Sequence, residues 1–468
     1  MRLVMKFGGS SLASREGFKQ ACTIVEGHHR KGDLVAVVVS ALGDTTDRLL
    51  EACDRAAGGD RKLVEAFLKS LQAKHLENCG WIAEGDARRK AEEAVSAMIG
   101  ELREVLMGVA CIAEATPRVR DYVLSFGERL SAPIFKAALE SRGLKSEWFT
   151  GKDAGIVTDS NFGNAKPLVE LTLHQVKRRV GKPYDEGVIP VVSGFIGADQ
   201  KGHVTTLGRG GSDLTASLLG AALNADEVWL WTDVNGIMTA DPKVEPSART
   251  IKQLSYQEAM EMTFFGAKGI HPKAVEVAMD RGLPLRVKNT FNPEGPHTLI
   301  TREAEVKTGF TAKAVSLIQE VALITVGGAG LAGAPEVAAE LFQILSEKRT
   351  NILMISQGSS EANISFAVSR DPVDELVPLL EMRLLGGKTV RQIDVEEDVC
   401  IVALVGAGMK GTPGIAARVF KAVATEGVNI RMIAQGSSEL NISFVVKRED
   451  GPKAVKALHR EFKLGESS

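Results

Sequence analysis

The most constraining feature of this chain is that part of it is written twice. ISQGSSEANISFAV (355–368) returns as IAQGSSELNISFVV (433–446), an offset of 78 residues. The same offset pairs Gly328-Ala-Gly330 with Gly406-Ala-Gly408, Pro335 with Pro413, Phe342 with Phe420, and Asn351-Ile352 with Asn429-Ile430. A repeat of this kind means one small folding unit used twice. Each copy reads as strand, glycine loop, helix, strand, turn, strand, helix, which predicts an α+β unit with an antiparallel sheet. The copies occupy 306–396 and 397–468.

Residues 1–305 carry no such repeat. Short β-branched runs (34–40, 188–194, 228–232, 285–289) alternate with helical stretches at 61–76, 87–106 and 213–223. That alternation predicts an α/β domain whose mainly parallel sheet is sandwiched by helices. NPEGP (292–296) reads as a turn near its end, and 311–318 as a strand joining one of the repeats. A chain of 468 residues has room for about three domains.

Composition excludes several function classes. Lys+Arg 57 against Asp+Glu 59 leaves a net charge of −2, so no basic excess favours nucleic acid or an anionic membrane. The longest apolar runs fall well short of the roughly 20 residues of a membrane helix, and the N-terminus has no signal-peptide pattern. The cysteines (22, 53, 79, 111, 400) form no CxxC pair, so neither a disulfide framework nor a zinc site is expected, and a reducing cytoplasm fits. His28-His29 read as solvated neighbours. The sequons at Asn363 and Asn441 read as strand residues.

Glycine loops carry the chemistry. GxGxxG occurs in each repeat (Gly328-Gly330-Gly333 and Gly406-Gly408-Gly411), but a half-size repeated unit leaves no room for a dinucleotide, so a tight strand-to-helix turn is preferred. A Walker A motif is absent, because Met382 stands five positions before Gly387-Lys388-Thr389. Three loops in the first domain say more: KFGGSS (6–11) after the first strand, TTLGRGGSD (205–213) leading into a helix, and WTDVNG (231–236) leaving a strand. Glycines let backbone N–H groups reach phosphate oxygens, a helix N-terminus adds its dipole, and Lys6, Arg209 and Asp213 supply buried-type charge. Together the three loops predict a phosphate site.

On these residues the chain resembles the aspartate kinases of the amino acid kinase superfamily, and among them monofunctional archaeal-type members, over essentially its whole length. The matching stretches are KFGGSS, VVVSA (37–41), SFGERLS (125–131), GFIG (194–197), TTLGRGGSD, WTDVNGI (231–237), FGAKGIHP (265–272) and both QGSSE repeats. The repeats resemble paired, ferredoxin-like ACT domains, which bind amino-acid effectors in that family. Where the family usually has a tyrosine and an arginine, Met238 and Lys243 stand here, which leaves base recognition open. No homoserine dehydrogenase segment follows residue 468, so a monofunctional enzyme is expected.

The resemblance implies transfer of the ATP γ-phosphoryl group to the side-chain carboxylate of L-aspartate. A free carboxylate with a pKa near ~3.9 is already the nucleophile at neutral pH, so no general base is needed. The obstacle is repulsion: two like charges at 4 Å cost ~4 kcal/mol at an effective dielectric of ~20. By resemblance, Lys6 bridges the phosphates and the transition state and Asp213 orients it. Gly8, Gly9 and Ser10 offer backbone donors. Thr232, Asp233, Met238, Lys243, Lys268 and Gly269 hold ATP, with Mg2+ on its phosphates. Arg209, with Gly210, Gly211 and Ser212, grips a carboxylate of aspartate, for which a planar fork is suited. Glu128 accepts the substrate ammonium, and Ser40 and Thr46 touch substrate.

Simpler roles fit some of these residues. Glu128 suits a first-turn carboxylate on a helix dipole, Asp213 a capping residue, and Lys268 a solvated helix lysine. QGSSE also fits a polar strand-end turn.

The effector is expected to contact Leu331, Gly333, Ala334, Leu353, Met354 and Gln357 in the first repeat, and Asn429, Ile430 and Gln435 in the second. A neutral glutamine lining favours threonine over lysine, although Glu361 leaves lysine open. Open-edged sheets predict a homodimer or homotetramer through the ACT domains. The rival readings are another amino acid kinase, of acetylglutamate or glutamate 5-kinase type, and a non-catalytic amino-acid sensor.

Overall fold

The computed structural model describes residues 1–266, 269–303, 311–328, 335–358, 363–385 and 389–466. Two compact units emerge: Met1–Ile237 with Lys252–Tyr256 and Gly269–Ala304, and Met238–Ile251 with Gln257–Lys268 and Glu305–Ser468.

The first unit is an α/β fold. Its strands are β1 (Arg2–Phe7), β2 (Leu34–Val39), β3 (Ser146–Phe149), β4 (Val157–Thr158), β5 (Ile189–Ser193), β6 (Ile196–Asp199), β7 (Val204–Thr206), β8 (Glu227–Thr232), β9 (Gln253–Ser255), β10 (Leu285–Asn289) and β11 (Thr298–Thr301). The main sheet has the order β3-β5-β2-β1-β8-β10-β11-β9, and β4, β6 and β7 make a smaller one. From β3 to β10 every pairing in the main sheet is parallel, and β11 then runs antiparallel to β10. β2 reads LVAVVV and is buried from Val35 to Val39, as expected of a parallel strand covered on both faces.

The chain leaves β1 for β2 on one side, while β8 pairs on the other. This reversal opens a crevice beyond the carboxyl ends of the strands, where α/β proteins bind ligands. Alternation along β1 sends Leu3, Met5 and Phe7 into the main core and leaves Lys6 on the opposite face. Phe7 stacks between Phe135 and Trp231, with ring centroids 5.7 and 6.0 Å away, so the strand end under the glycine turn is held by packed aromatics.

In the second unit the two repeats share one sheet, made of β12 (Ala314–Gly327), β13 (Ile352–Gln357), β14 (Asn363–Ser369), β15 (Gln392–Val405), β16 (Ile430–Ala434) and β17 (Asn441–Lys447) in the order β13-β14-β12-β15-β17-β16. β12 belongs to both copies. Its first half (Ala314–Ile318) pairs with Ile401–Val405 of the second copy, and its second half (Val321–Gly327) with Asn363–Ser369 of the first. The segment 238–251 is tied to the second copy. Thr239 Oγ1 lies 3.0 Å from His459 Nε2, Val315 N donates to Thr239 O, and Arg249 Nε donates to Leu464 O.

The histidine pair departs from the expectation of solvated neighbours. His28 Nδ1 lies 2.8 Å from Asp33 Oδ2, and its ring meets Trp229 edge-on. The adjacent strand end draws this polar stretch into contact. Both sequon asparagines begin strands, and no helix among the described residues is long and apolar enough to cross a membrane.

Candidate active site

Four segments meet at the carboxyl ends of β1, β2 and β5. Gly8 N donates to Trp231 O, Ser40 N to Phe7 O, and Gly194 N to Val39 O, which ties the glycine turn to its neighbours. The Gly8 N–H is therefore committed to β8. Gly9 and Ser10, in the first turn of the helix Gly9–Leu12, keep the N–H groups that a first turn leaves without intrahelical acceptors. At Gly9 a side chain is impossible without movement, because a Cβ would stand 2.9 Å from Ala41 O and 3.2 Å from Gly43 O.

A cavity of about 300 Å³ opens there, lined by residues of all four segments, among them Lys6, Ser40, Thr46, Glu128, Arg209 and Asp213. The Lys6 ammonium sits 2.6 Å from Asp213 Oδ1, and both side chains are largely buried. Asp213 lies in the first turn of the buried helix Gly211–Ala222, where a carboxylate also meets the positive end of the dipole. Gly210 starts that helix at φ +71°, and a Cβ on it would run into the His271 ring at 2.2 Å.

Glu128 is buried in the first turn of the helix Phe126–Glu140. Its Oε1 accepts from Ala41 N at 3.1 Å, and its Oε2 has no hydrogen-bond partner among the described residues. Burial pushes its carboxyl up to about 8, against the smaller opposing effects of the Ala41 N–H and the Lys6 charge. Ser131 Oγ donates to Ser40 O, and Ser193 Oγ to Glu128 O, so the helix is pinned to both neighbouring strand ends. Thr46 lies inside the first turn of the helix Thr45–Ala57. Arg209 is exposed, not buried, and no hydrogen bond or ion pair joins it to a described residue. It lines the cavity from between Gly208 and Gly210, which hold φ +76° and +71°.

The expected ATP residues are distributed. Thr232 and Asp233 follow β8, with Thr232 Oγ1 donating to Asp233 Oδ1 at 3.0 Å and Thr290 N donating to Thr232 O. Gly269 adopts φ +114° in the first unit. Met238 and the exposed Lys243 belong to the second unit. Lys268 lies outside the described residues, as do Leu331, Gly333, Ala334 and Glu361 of the effector set. Of the remaining effector residues, Met354 is buried, Leu353 and Ile430 are half-buried, and Gln357, Asn429 and Gln435 are exposed. The glycine loop of the second copy is engaged by the chain's own carboxylates. Ala407 N donates to Glu258 Oε1 at 2.8 Å, and Gly411 N to Glu439 Oε2 at 2.6 Å.

Residue-type reasoning passed over Ala41, Gly43, Phe195 and Gly208, which also line the cavity. Phe195 carries a signal of its own in the structure. It holds φ +66°, a conformation bulky residues rarely adopt, and its N–H donates to Thr215 Oγ1. The motif GFIG marked the place but not the role.

A buried ammonium fixed by a carboxylate, free first-turn N–H groups and an unattached guanidinium in one cleft are what two reacting anions require. Residues 1–289 match the amino acid kinase family. The chain belongs to the amino acid kinase family. Residues 324–382 and 402–462 each match the ACT domain. The chain is 33% identical over 485 residues to aspartokinase 1, chloroplastic, of Arabidopsis thaliana, covering 98% of this chain and 80% of that protein. This member of the amino acid kinase family is thus one of the aspartokinases. It spans about half the length of other curated relatives: the bifunctional aspartokinase/homoserine dehydrogenase 1, chloroplastic, of A. thaliana is 33% identical, with 99% of this chain and 51% of that protein covered. Among solved structures, E. coli aspartokinase III in complex with aspartate and ADP (R-state) superposes with a TM-score of 0.84 at 29% identity, covering 98% of this chain and 99% of that one. The same enzyme in complex with lysine and aspartate (T-state) gives 0.79 at 28% identity and the same coverage.

Proposed function

We propose that the chain is an aspartate kinase, forming 4-phospho-L-aspartate from L-aspartate and ATP on a catalytic domain of residues 1–305. A side-chain carboxylate oxygen attacks the γ-phosphorus, the bond from γ-phosphorus to the β,γ-bridging oxygen breaks, and ADP leaves with the electron pair. The observation that carries this reading is the Lys6–Asp213 pair at 2.6 Å inside a cavity that also holds an unpartnered Glu128 oxygen and a free Arg209. It is supported by a similar structure that contains aspartate and ADP.

Each side chain then has one task. Lys6 neutralises the approach of carboxylate to polyphosphate, and Asp213 keeps its ammonium in place. Gly9 and Ser10 direct N–H dipoles at phosphate oxygens, and Thr232, Asp233 and Gly269 hold the nucleotide. Glu128 takes the substrate ammonium, with Ser40 and Thr46 beside it, and Arg209 clamps a carboxylate. Mg2+ would supply charge on the phosphate oxygens. Among the described residues no three His, Cys, Asp or Glu side chains gather into a cage.

The product feeds the synthesis of lysine, threonine, methionine and isoleucine. The ACT domains (306–396 and 397–468) bind a feedback amino acid, threonine before lysine, and join chains into a homodimer or homotetramer. A relative with bound lysine supports an amino-acid effector in general. A hydroxamate assay with ATP, Mg2+ and aspartate, with and without threonine or lysine, tests the activity and the effector. Aspartyl hydroxamate should form and fall with one effector. Its absence, with ADP release on another amino-acid carboxylate, would overturn the reading.

A further inference from the structure

The cavity rests on a buried carboxylate that the proposed reaction does not use. Among the described residues Asp121 joins no ion pair, and it has no exposed surface. Its carboxylate accepts from three donors. Gly163 N lies 2.9 and 3.0 Å from the two oxygens, Thr206 N 2.9 Å from Oδ2, and Thr206 Oγ1 2.8 Å from Oδ1. Thr206 is the last residue of β7, immediately before Leu207-Gly208-Arg209. Asp121 itself lies on the helix Pro117–Leu124, whose end runs directly into the helix bearing Glu128, with Ser125 N donating to Asp121 O.

The arginine loop is held from the far side as well. Lys273 Nζ reaches Asn164 Oδ1 at 2.6 Å and Leu207 O at 3.5 Å, and Ala165 N donates to Thr206 O. Gly163 and Asn164 are thus clamped between Asp121 and Lys273, and both clamps close on the strand end that launches Arg209. A charged acceptor is the right group here. An ionised carboxylate offers only acceptor sites, and three donors converge on it.

We propose that Asp121 is a positioning residue that sets the spacing between the Arg209 loop and the Glu128 helix, and so the grip on the two ends of the substrate. This rests on the reading that Arg209 and Glu128 hold aspartate. An amide keeps a single acceptor oxygen, so to retain the Thr206 N–H it must face its NH2 group to the Thr206 hydroxyl, lose the charge and give up one of the two contacts from Gly163 N, and the β7 end would shift.

The test compares Asp121→Asn and Thr206→Val with the wild-type full chain. Loss of a buried charge-assisted hydrogen bond is worth about tenfold or more, so Asp121→Asn should raise the KM for aspartate about tenfold and leave the KM for ATP within about twofold. Thr206→Val, which removes one of the three donors and no charge, should raise the aspartate KM about threefold and decides the matter if the first variant does not fold. A merely structural residue would lower the active fraction, and with it kcat, without separating the two KM values. Limited trypsin cleavage after Arg209, followed by mass spectrometry, needs no turnover and should accelerate in both variants. An unchanged aspartate KM with unchanged cleavage in folded variants would overturn the proposal. Faster cleavage in a chain that gives no aspartate-dependent turnover even as wild type would keep the loop clamp and reject the substrate reading alone.

Discussion

The Lys6 ammonium and the Asp213 carboxylate face each other at 2.6 Å although the residues belong to the first strand and to a helix more than two hundred residues later. The carboxylate holds the ammonium near the carboxyl end of β1, where β2 and β8 flank it on either side, beside the N–H groups of the opening glycine turn.

Removal of that charge should abolish chemistry and spare the fold. Lys6→Ala is expected to lose about a hundredfold or more in kcat, the magnitude seen when a preorganised transition-state donor is deleted. Asp213→Asn should lose less, because the ammonium remains but is no longer held. Circular dichroism melts and single-turnover rates would check both. Undiminished turnover in Lys6→Ala would defeat the assignment.

Glu128 makes aspartate binding depend on pH. Burial holds its carboxyl at about 8, above the ordinary glutamate value, so at pH 7 the empty site is mostly protonated. An ammonium is bound best by the ionised form. The aspartate KM should therefore fall as pH rises from about 6.5 to 8.5, and binding should release a proton. The same shift makes the folded state bind protons more tightly than the unfolded one, so this group lowers stability as pH climbs from about 4.5 to 8. Calorimetry in two buffers of different ionisation enthalpy reads the proton directly. Glu128→Gln should raise the KM and flatten its pH dependence.

Gly210 is required for two reasons at once. Its φ of +71° disfavours any L side chain, and a Cβ would meet His271 at 2.2 Å. Gly210→Ala should cost about 1–3 kcal/mol of stability and weaken aspartate binding, because the start of the Asp213 helix must move. Chemical denaturation and the aspartate KM together separate these effects.

In the second unit, Glu258 is fully buried and ion-paired to Lys313 at 2.9 Å while accepting the Ala407 N–H. Glu258→Gln removes the buried carboxylate that faces the Lys313 ammonium and should cost about 3 kcal/mol or more. Glu258→Gln combined with Lys313→Met should recover part of that loss. Equal stability of the single and double variants would show that the remaining Lys313 charge is not the source of the loss.

Much of the site was legible in the sequence because phosphate chemistry leaves local marks. A lysine before two glycines, a glycine-rich turn before a helix and an acid in its first turn can each be read in a few residues. The Lys6–Asp213 pairing was legible only through the resemblance, and the structure places the two groups in contact. The Gly8 N–H looked available and is consumed by Trp231 O. Arg209 looked buried and is exposed, because a residue's own loop does not report which distant segments come to cover it.

By itself the sequence determined the repeat, the alternation of strands and helices, and the glycine loops. All are written in spacings of a few residues or in outright identity at one offset, and helix and strand periods and turn chemistry act over that range. Only the tertiary structure decided that β12 crosses from one copy to the other, that Asp121 braces the arginine loop, and that Glu258 occupies the second glycine loop. Each of these is a hydrogen bond or strand pairing between distant parts of the chain. Its strength depends on burial and on the direction of both partners, and neither exists until the chain has folded.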